Sequence, residues 1–294
     1  MADHLDSTGE LARVEARLAE LDTERLRLRA RIDALRTVAA TGPEPMISVP
    51  ALAAPAVAVP VTQAGKVSLF AALFRGRTDV YPRRWENARN GKSGYSPHCA
   101  NEWKRGICGK PKVKCGECSV KAFIPVTDQV LHDHLRGEIV AGVYPLVDGD
   151  RCHFVAVDFD GGGWQADVSA FAETARAAGL PVAVERSRSG NGAHAWFFFE
   201  GAVPAIAARQ MASYVLTEAM SRRSEIGMRS YDRLFPNQDT LPRGGFGNLI
   251  ALPLQWEARR NGNSVFVDEA FTAFENQWAF LARLPRIPGE TAAL

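Results

Sequence analysis

The chain has 294 residues, 46% of them hydrophobic, and a formal net charge of +2. That is enough apolar surface for one large or two small cores, which excludes a disordered chain. The most apolar stretch, VPALAAPAVAVPV at 49–61, is broken by prolines and too short for a bilayer, and the N-terminus is too charged and polar for a signal peptide, so a cytoplasmic protein without a membrane partner is expected.

From Leu11 onward the apolar positions Leu11, Val14, Leu18, Leu21, Leu28, Ile32 and Leu35 fall at steps of three and four, with only Arg25 out of pattern. Such a seam predicts a coiled-coil helix over 10–37, within an N-terminal segment 1–39, that either drives self-association or packs on the chain's own globular part. Residues 40–64, rich in Ala and Pro, read as an extended, semi-rigid linker. The chemistry is expected beyond it, in a domain over 65–288.

Between Lys66 and Lys121 thirteen Lys and Arg stand against four Asp and Glu, a local excess of nine positive charges. This points to a polyanionic partner, with a solvated basic face as the plain alternative. Cys99, Cys108, Cys115 and Cys118 lie in the same stretch, spaced C-x8-C-x6-C-x2-C with glycines beside the last three. In a reducing cytoplasm that spacing suits a structural Zn2+ site over about 95–121, a cluster of free thiols being the alternative and His98 a substitute ligand for Cys99. With no ligand position left for water, such a site folds a loop and does not catalyse. Lys104, Arg105, Lys110, Lys112 and Lys114 are interleaved with the cysteines and Trp103 is nearby, so the loop is expected to meet a phosphate backbone. Cys152 reads as a small core residue.

The clearest architecture lies over about 151–255. CHFVAVDF reads as a strand, ADVSAFAETARAAG as a helix ended by Gly179, and LPVAVERSRS as a second strand; the turn residues Gly190, Asn191 and Gly192 lead to the strand AHAWFFFE. The helix PAIAARQMASYVLTEAMSRR follows, and Ser230 through GNLIALPL returns as a strand with a loop inside it. This β-α-β-β-α-β order predicts an α+β fold, a ferredoxin-like or RNA-recognition-motif-like (RRM-like) unit, a class whose strands usually lie in the order 4-1-3-2. Downstream, EARRNGNSVFVDEAF reads as a turn at Asn261 and Gly262 entering a short strand, with Arg259 and Arg260 beside it.

VAVDFDG, at 155–161, ends that first strand with Asp158 and Asp160 two apart, hence on one face. His194 is expected beside them on the third strand and Asp232 on the fourth. Like charges that close repel and lose solvation on burial, so divalent Mg2+ or Mn2+ is the natural neutraliser. A metal pair held this way activates an attacking hydroxyl and stabilises a leaving pyrophosphate. His194, Arg186, Arg188 and the backbone amides of the Ser189–Gly192 turn, including Gly190, are placed to hold a triphosphate tail. Gln238, Arg243 and Asn248 lie close to Asp232 in sequence and are candidates for lining the nucleotide pocket.

The segments SLFAALFRGRTDVYPRRWEN, KSGYSPHCANEW, the cysteine cluster, VDFDG, ERSRSGNGAHAWFFF and YDRLFPNQDTLPRGGFGNLIALPLQ together resemble the archaeo-eukaryotic primase domain of TOTE conflict systems, over about residues 66–285. The resemblance implies an RRM-like core whose paired acids, S-x-H or G-x-H motif and third acidic residue match Asp158 and Asp160, His194 after Ser189 and Gly190, and Asp232. It further implies template-directed synthesis of a primer or DNA strand from NTPs or dNTPs on single-stranded DNA, with two Mg2+ or Mn2+ ions, and a helicase or nuclease partner. One departure is FPNQ, where Asn237 stands in place of the lysine common in such domains.

Two other classes of function fit part of the pattern. A non-catalytic single-stranded nucleic-acid-binding module would stack bases on Trp196 and Phe198, against repulsion from the acids on that face. A metal-dependent nuclease would use the same ions to activate water, but has no need of a histidine and arginine hairpin suited to a triphosphate.

Overall fold

The computed structural model describes residues 13, 16–17, 19–20, 23–27, 29–31, 58–222, 233–241 and 243–291. Two units are distinguished, Met1–Ala56 and Val57–Leu294. In the first, the expected helix over 10–37 and the expected linker fall largely outside the described residues; those described before residue 32 are helical and exposed.

The second unit opens with helix α1, Gln63–Leu73, capped by the Thr62 side chain, which accepts from the Gly65 N–H. Residues 63 and 64, expected as the end of the linker, are helical. The Ala/Pro composition ends where a capping threonine precedes apolar residues at helical spacing, Val67, Phe70 and Phe74, all buried. Strands β1 (Pro82–Asn87) and β2 (Lys92–Pro97) form an antiparallel hairpin, and the cysteine loop follows. Helix α2, Asp128–Arg136, is capped by Thr127 and ended by Gly137 in the left-handed conformation, φ 91°. Its fully buried His134 is a latch: Nδ1 accepts from the Ala141 N–H at 3.1 Å while Nε2 meets the Pro253 carbonyl at 2.9 Å.

The main sheet contains β4 (Arg151–Asp160), β5 (Ala183–Arg186), β6 (Gly192–Pro204), β7 (Leu234–Phe235) and β9 (Val265–Val267), all antiparallel in the order β7-β4-β6-β5-β9. With helix α3 (Trp164–Ala177) after β4 and helix α4 (Ala205–Arg222) after β6, the elements from β4 to β7 run strand, helix, strand, strand, helix, strand. Their four strands lie fourth, first, third, second. Phe171 of α3 packs on Phe159 and Phe197, so these helices cover one face. On the other face Phe154, Trp196 and Phe198 gather under Phe74. Both faces of the central strands are therefore covered, which accounts for the almost unbroken apolar runs of β4 and β6.

The segment expected from Ser230 to Leu254 as a strand with a loop inside it is divided between two sheets. Among the described residues of this segment, Leu234–Phe235 joins the main sheet, whereas Ile250–Ala251, strand β8, pairs with β3, Gly142–Val143. The intervening loop carries Pro236, Asn237, Asp239 and three glycines, and turn-forming residues of that density do not sustain a ladder. Among the described residues no helix is long and apolar enough to cross a membrane.

Candidate active site

Period-two alternation puts Asp158, Asp160 and the even residues of β6 on the face away from α3 and α4. The register makes the juxtaposition specific: Asp158 lies opposite His194, and His194 opposite Glu185. One acid, one imidazole and a second acid thus form a row across three strands, bordering the aromatic cluster, whose Trp196 ring lies 6.0 Å from that of His194. Asp160 continues the row's acidic side, opposite Gly192. A Cβ on Gly192 would come within 2.5 Å of the Phe159 carbonyl oxygen, so no larger residue allows this pairing.

His194 is fixed from behind. Its Nδ1 lies 2.9 Å from Glu185 Oε2, leaving Nε2 on the Asp158 side, 3.6 Å from Oδ1. Burial works to lower the His194 pKa, but Glu185 and then Asp158 outweigh it and raise the pKa above the ordinary value. Burial raises that of Asp158, opposed by His194 and by Arg233. Arg233 answers the charge problem posed by the paired acids: its guanidinium contacts Asp160 and lies 3.6 Å from Asp158 Oδ2. Asp232, the expected third acid, lies outside the described residues. The two hard carboxylates on an accessible rim, where a cationic group already sits, suit Mg2+ or Mn2+ as a donor set.

Other expected residues are placed differently. Arg186 points to the opposite face and spends its guanidinium on the carbonyls of Gly262, 2.9 Å, and Phe271, 2.5 Å. Arg188 lines a separate polar cavity of about 420 Å³ with Arg83, Arg84 and Asn263. In the turn, the Gly190 N–H is taken by the Ser187 carbonyl and the Asn191 N–H by Ser189 Oγ, so these amides are not free for a phosphate. Asn248 holds the strand beside the site: Nδ2 donates to the Leu234 carbonyl at 2.7 Å and Oδ1 accepts from the Asn237 N–H. Gln238 donates to the Thr240 carbonyl, and Arg243 is exposed. Trp196 and Phe198, the stacking platform of the binding-module alternative, are buried under Phe74 and offer no face to a base.

Cys99, Cys108, Cys115 and Cys118 line one small cavity, and Cys99 Sγ accepts from the Asn101 and Ala122 N–H groups. Such donors suit a thiolate. Yet among the described residues no three His, Cys, Asp or Glu side chains stand close enough together to hold a metal ion, here or at the acidic row. Lys104, Arg105, Lys112 and Lys114 are exposed on this loop, whereas Lys110 is partly buried against Glu102. His98 packs on Tyr81, and its buried Nδ1 has no hydrogen-bond partner.

Two site residues escaped the sequence reading. Glu185 is a lone acid within an apolar strand, and Arg233 adjoins a singled-out aspartate; both signals are local, but the partners that give them meaning are distant.

The family described as TOTE conflict system, Archaeo-Eukaryotic Primase domain, matches residues 65–293. No curated protein matches the chain. Among solved structures, the polymerase domain of Mycobacterium tuberculosis Ligase D, in complex with DNA, is similar at 14% identity and TM-score 0.39, over 79% of this chain and 87% of that one. A superposition that loose carries no residue-level comparison.

Proposed function

The chain belongs to the archaeo-eukaryotic primase domains of TOTE conflict systems, and on that footing we propose that it performs template-directed nucleotidyl transfer, building primers or DNA from NTPs or dNTPs on single-stranded DNA. The observation that carries this reading is the row Asp158, His194 and Glu185 in register across three strands, with Asp160 at its open end. The strand order fourth, first, third, second supports an RRM-like core over about 151–255.

In this reading Asp158 and Asp160, with Asp232, hold Mg2+ or Mn2+. When bound, such ions activate the attacking 3′ hydroxyl and stabilise the leaving pyrophosphate. Glu185 behind His194 raises its pKa and holds Nδ1, which favours an Nε2–H that donates to a triphosphate oxygen. The rim is wet at Asp160 and buried at His194, which orients a polyanion with its charge toward the strand ends. Arg233 neutralises the acids until an ion replaces it, and Asn248 keeps Arg233 near them by anchoring Leu234. Arg186 and the turn amides act as braces of the hairpin instead of phosphate ligands. A structural zinc drawing the four cysteines together is the matching proposal for the basic loop.

The test is incubation of the full chain with a single-stranded DNA template, labelled nucleotides and Mg2+ or Mn2+, with and without an annealed primer, beside the Asp158→Ala/Asp160→Ala variant. Product without primer that disappears in the variant identifies a primase; product only with primer identifies a polymerase. No product under either condition, from a folded protein, refutes the proposal.

A further inference from the structure

Between hairpin β1–β2 and the cysteine loop runs a groove of about 870 Å³ walled by Trp85, Trp103, Arg89, Lys92, Lys110 and Lys114. Ligand sites span ~300–1,000 Å³, so this one is large for a small molecule and open along its length.

Both tryptophans depart from what folding alone requires. Trp85 is 44% exposed and lies opposite Gly94, where a Cβ would come within 3.0 Å of its Cζ2. The missing side chain lets the indole rest against the neighbouring strand with its other face open. Trp103 is 66% exposed, and its backbone sits at φ 59°, in the left-handed region that a bulky side chain disfavours. An exposed ring recovers none of that cost by burial, and strain kept without a packing return points to a use. Lys110, held 2.6 Å from Glu102, lies 5.6 Å from the Trp103 ring and supports it from one side. Among the described residues Arg89, Lys92 and Lys114 make no ion pair, whereas Glu86 and Glu102 are engaged by Arg84 and Lys110. The groove therefore has open aromatic faces and uncompensated positive charge together, the two features that single strands require: stacking for the bases and cations for the phosphates.

We infer that this groove binds a single strand of DNA, with Trp85 and Trp103 stacking on unpaired bases and Arg89, Lys92 and Lys114 holding the phosphates. The inference rests on the polymerase reading above and names the place of the template within it. Tyr95, on the groove wall, lies beside Arg188 of the turn that follows Glu185, so this contact joins the groove to the acidic row.

The experiment is binding of a fluorescein-labelled oligothymidylate to the full chain without nucleotides, read by anisotropy and by quenching of tryptophan fluorescence. Trp85→Ala and Trp103→Ala are each expected to weaken binding about fivefold or more, with Trp85→Phe and Trp103→Phe restoring most of it. Arg89→Ala with Lys92→Ala should reduce the slope of log affinity against log salt by about 1.4. Unchanged affinity in both alanine variants, or no binding by the wild type, overturns the inference. Synthesis measured on the same preparations separates the two readings. A wild type that synthesises while its alanine variants bind normally refutes the groove alone; a wild type that makes no product yet loses binding in those variants supports the groove and refutes the polymerase.

Discussion

Glu185 and His194 face each other on β5 and β6 with Oε2 2.9 Å from Nδ1. The same carboxylate takes the Trp196 indole N–H at 3.0 Å and lies 3.4 Å from Ser264 Oγ, so an acid only 1% exposed is surrounded by donors. Removing one member of a buried charged pair strands the other, at about 3–5 kcal/mol. Glu185→Ala should lose stability of that order in urea melts, and Glu185→Gln clearly less. Both should lower synthesis at least about tenfold, the scale of one charge-assisted hydrogen bond. A Gln variant that synthesises normally would reduce Glu185 to a packing residue.

Arg233 stands between Asp158 and Asp160 as their only described counter-cation besides His194. A partly exposed pair is worth about 1 kcal/mol at most, which for a domain of this size is about 2–4 °C in Tm. Arg233→Ala should melt lower by that amount in EDTA and regain the loss in Mg2+ or Mn2+, gaining more from the ion than the wild type does. Equal ion effects on the two proteins would mean that arginine and metal do not share a place.

His134 sets a pH limit on folding. Complete burial lowers its pKa to about 4 from 6.5, so the folded state holds it neutral and the unfolded state takes up the proton first. The stability it contributes is full above pH 6.5 and is lost as pH falls toward 4, up to about 3 kcal/mol. His134→Gln should flatten that part of the urea stability profile between neutral and acid pH. An unchanged slope would assign the acid sensitivity to other groups.

Asn248 ties the far end of the loop after β7 back to the strand through the Leu234 carbonyl and to the loop's start through the Asn237 N–H. Two such bonds are worth about 1–3 kcal/mol together. Asn248→Ala is expected to lose that much stability and to reduce synthesis as Arg233 loses its seat, whereas Asn248→Asp, which keeps the acceptor, should retain part of both. Activity unchanged in the alanine variant would show that the loop is held by other means.

The cysteine loop offers a direct metal measurement. Purified protein is expected to carry stoichiometric zinc, and Cys115→Ser with Cys118→Ser to lose it along with thermal stability. Metal-free wild-type protein with the same melting temperature would leave the loop stabilised by its own hydrogen bonds.

Local order determined much of this protein from the sequence alone. Period two along VAVDFDG put Asp158 and Asp160 on one face, period 3.6 identified the helices on either side of β5 and β6, and Gly190 and Gly192 marked the turn between those strands. Interactions between residues near in sequence are encoded by spacing, and spacing is legible. The tertiary structure decided the rest. Arg186 precedes the turn and by spacing alone belongs beside the site, but the register of β5 sends it to the other face and brings Glu185 to His194 instead. Trp196 and Phe198 look like a stacking surface until Phe74, from the end of α1, closes over them. The segment after α4 reads as a strand with a loop inside it because composition cannot show that the part after the loop pairs with β3 instead of the main sheet. In each case the deciding partner lies far away in the chain, and strand register and burial are set by the packing of those distant pieces, which no local pattern encodes.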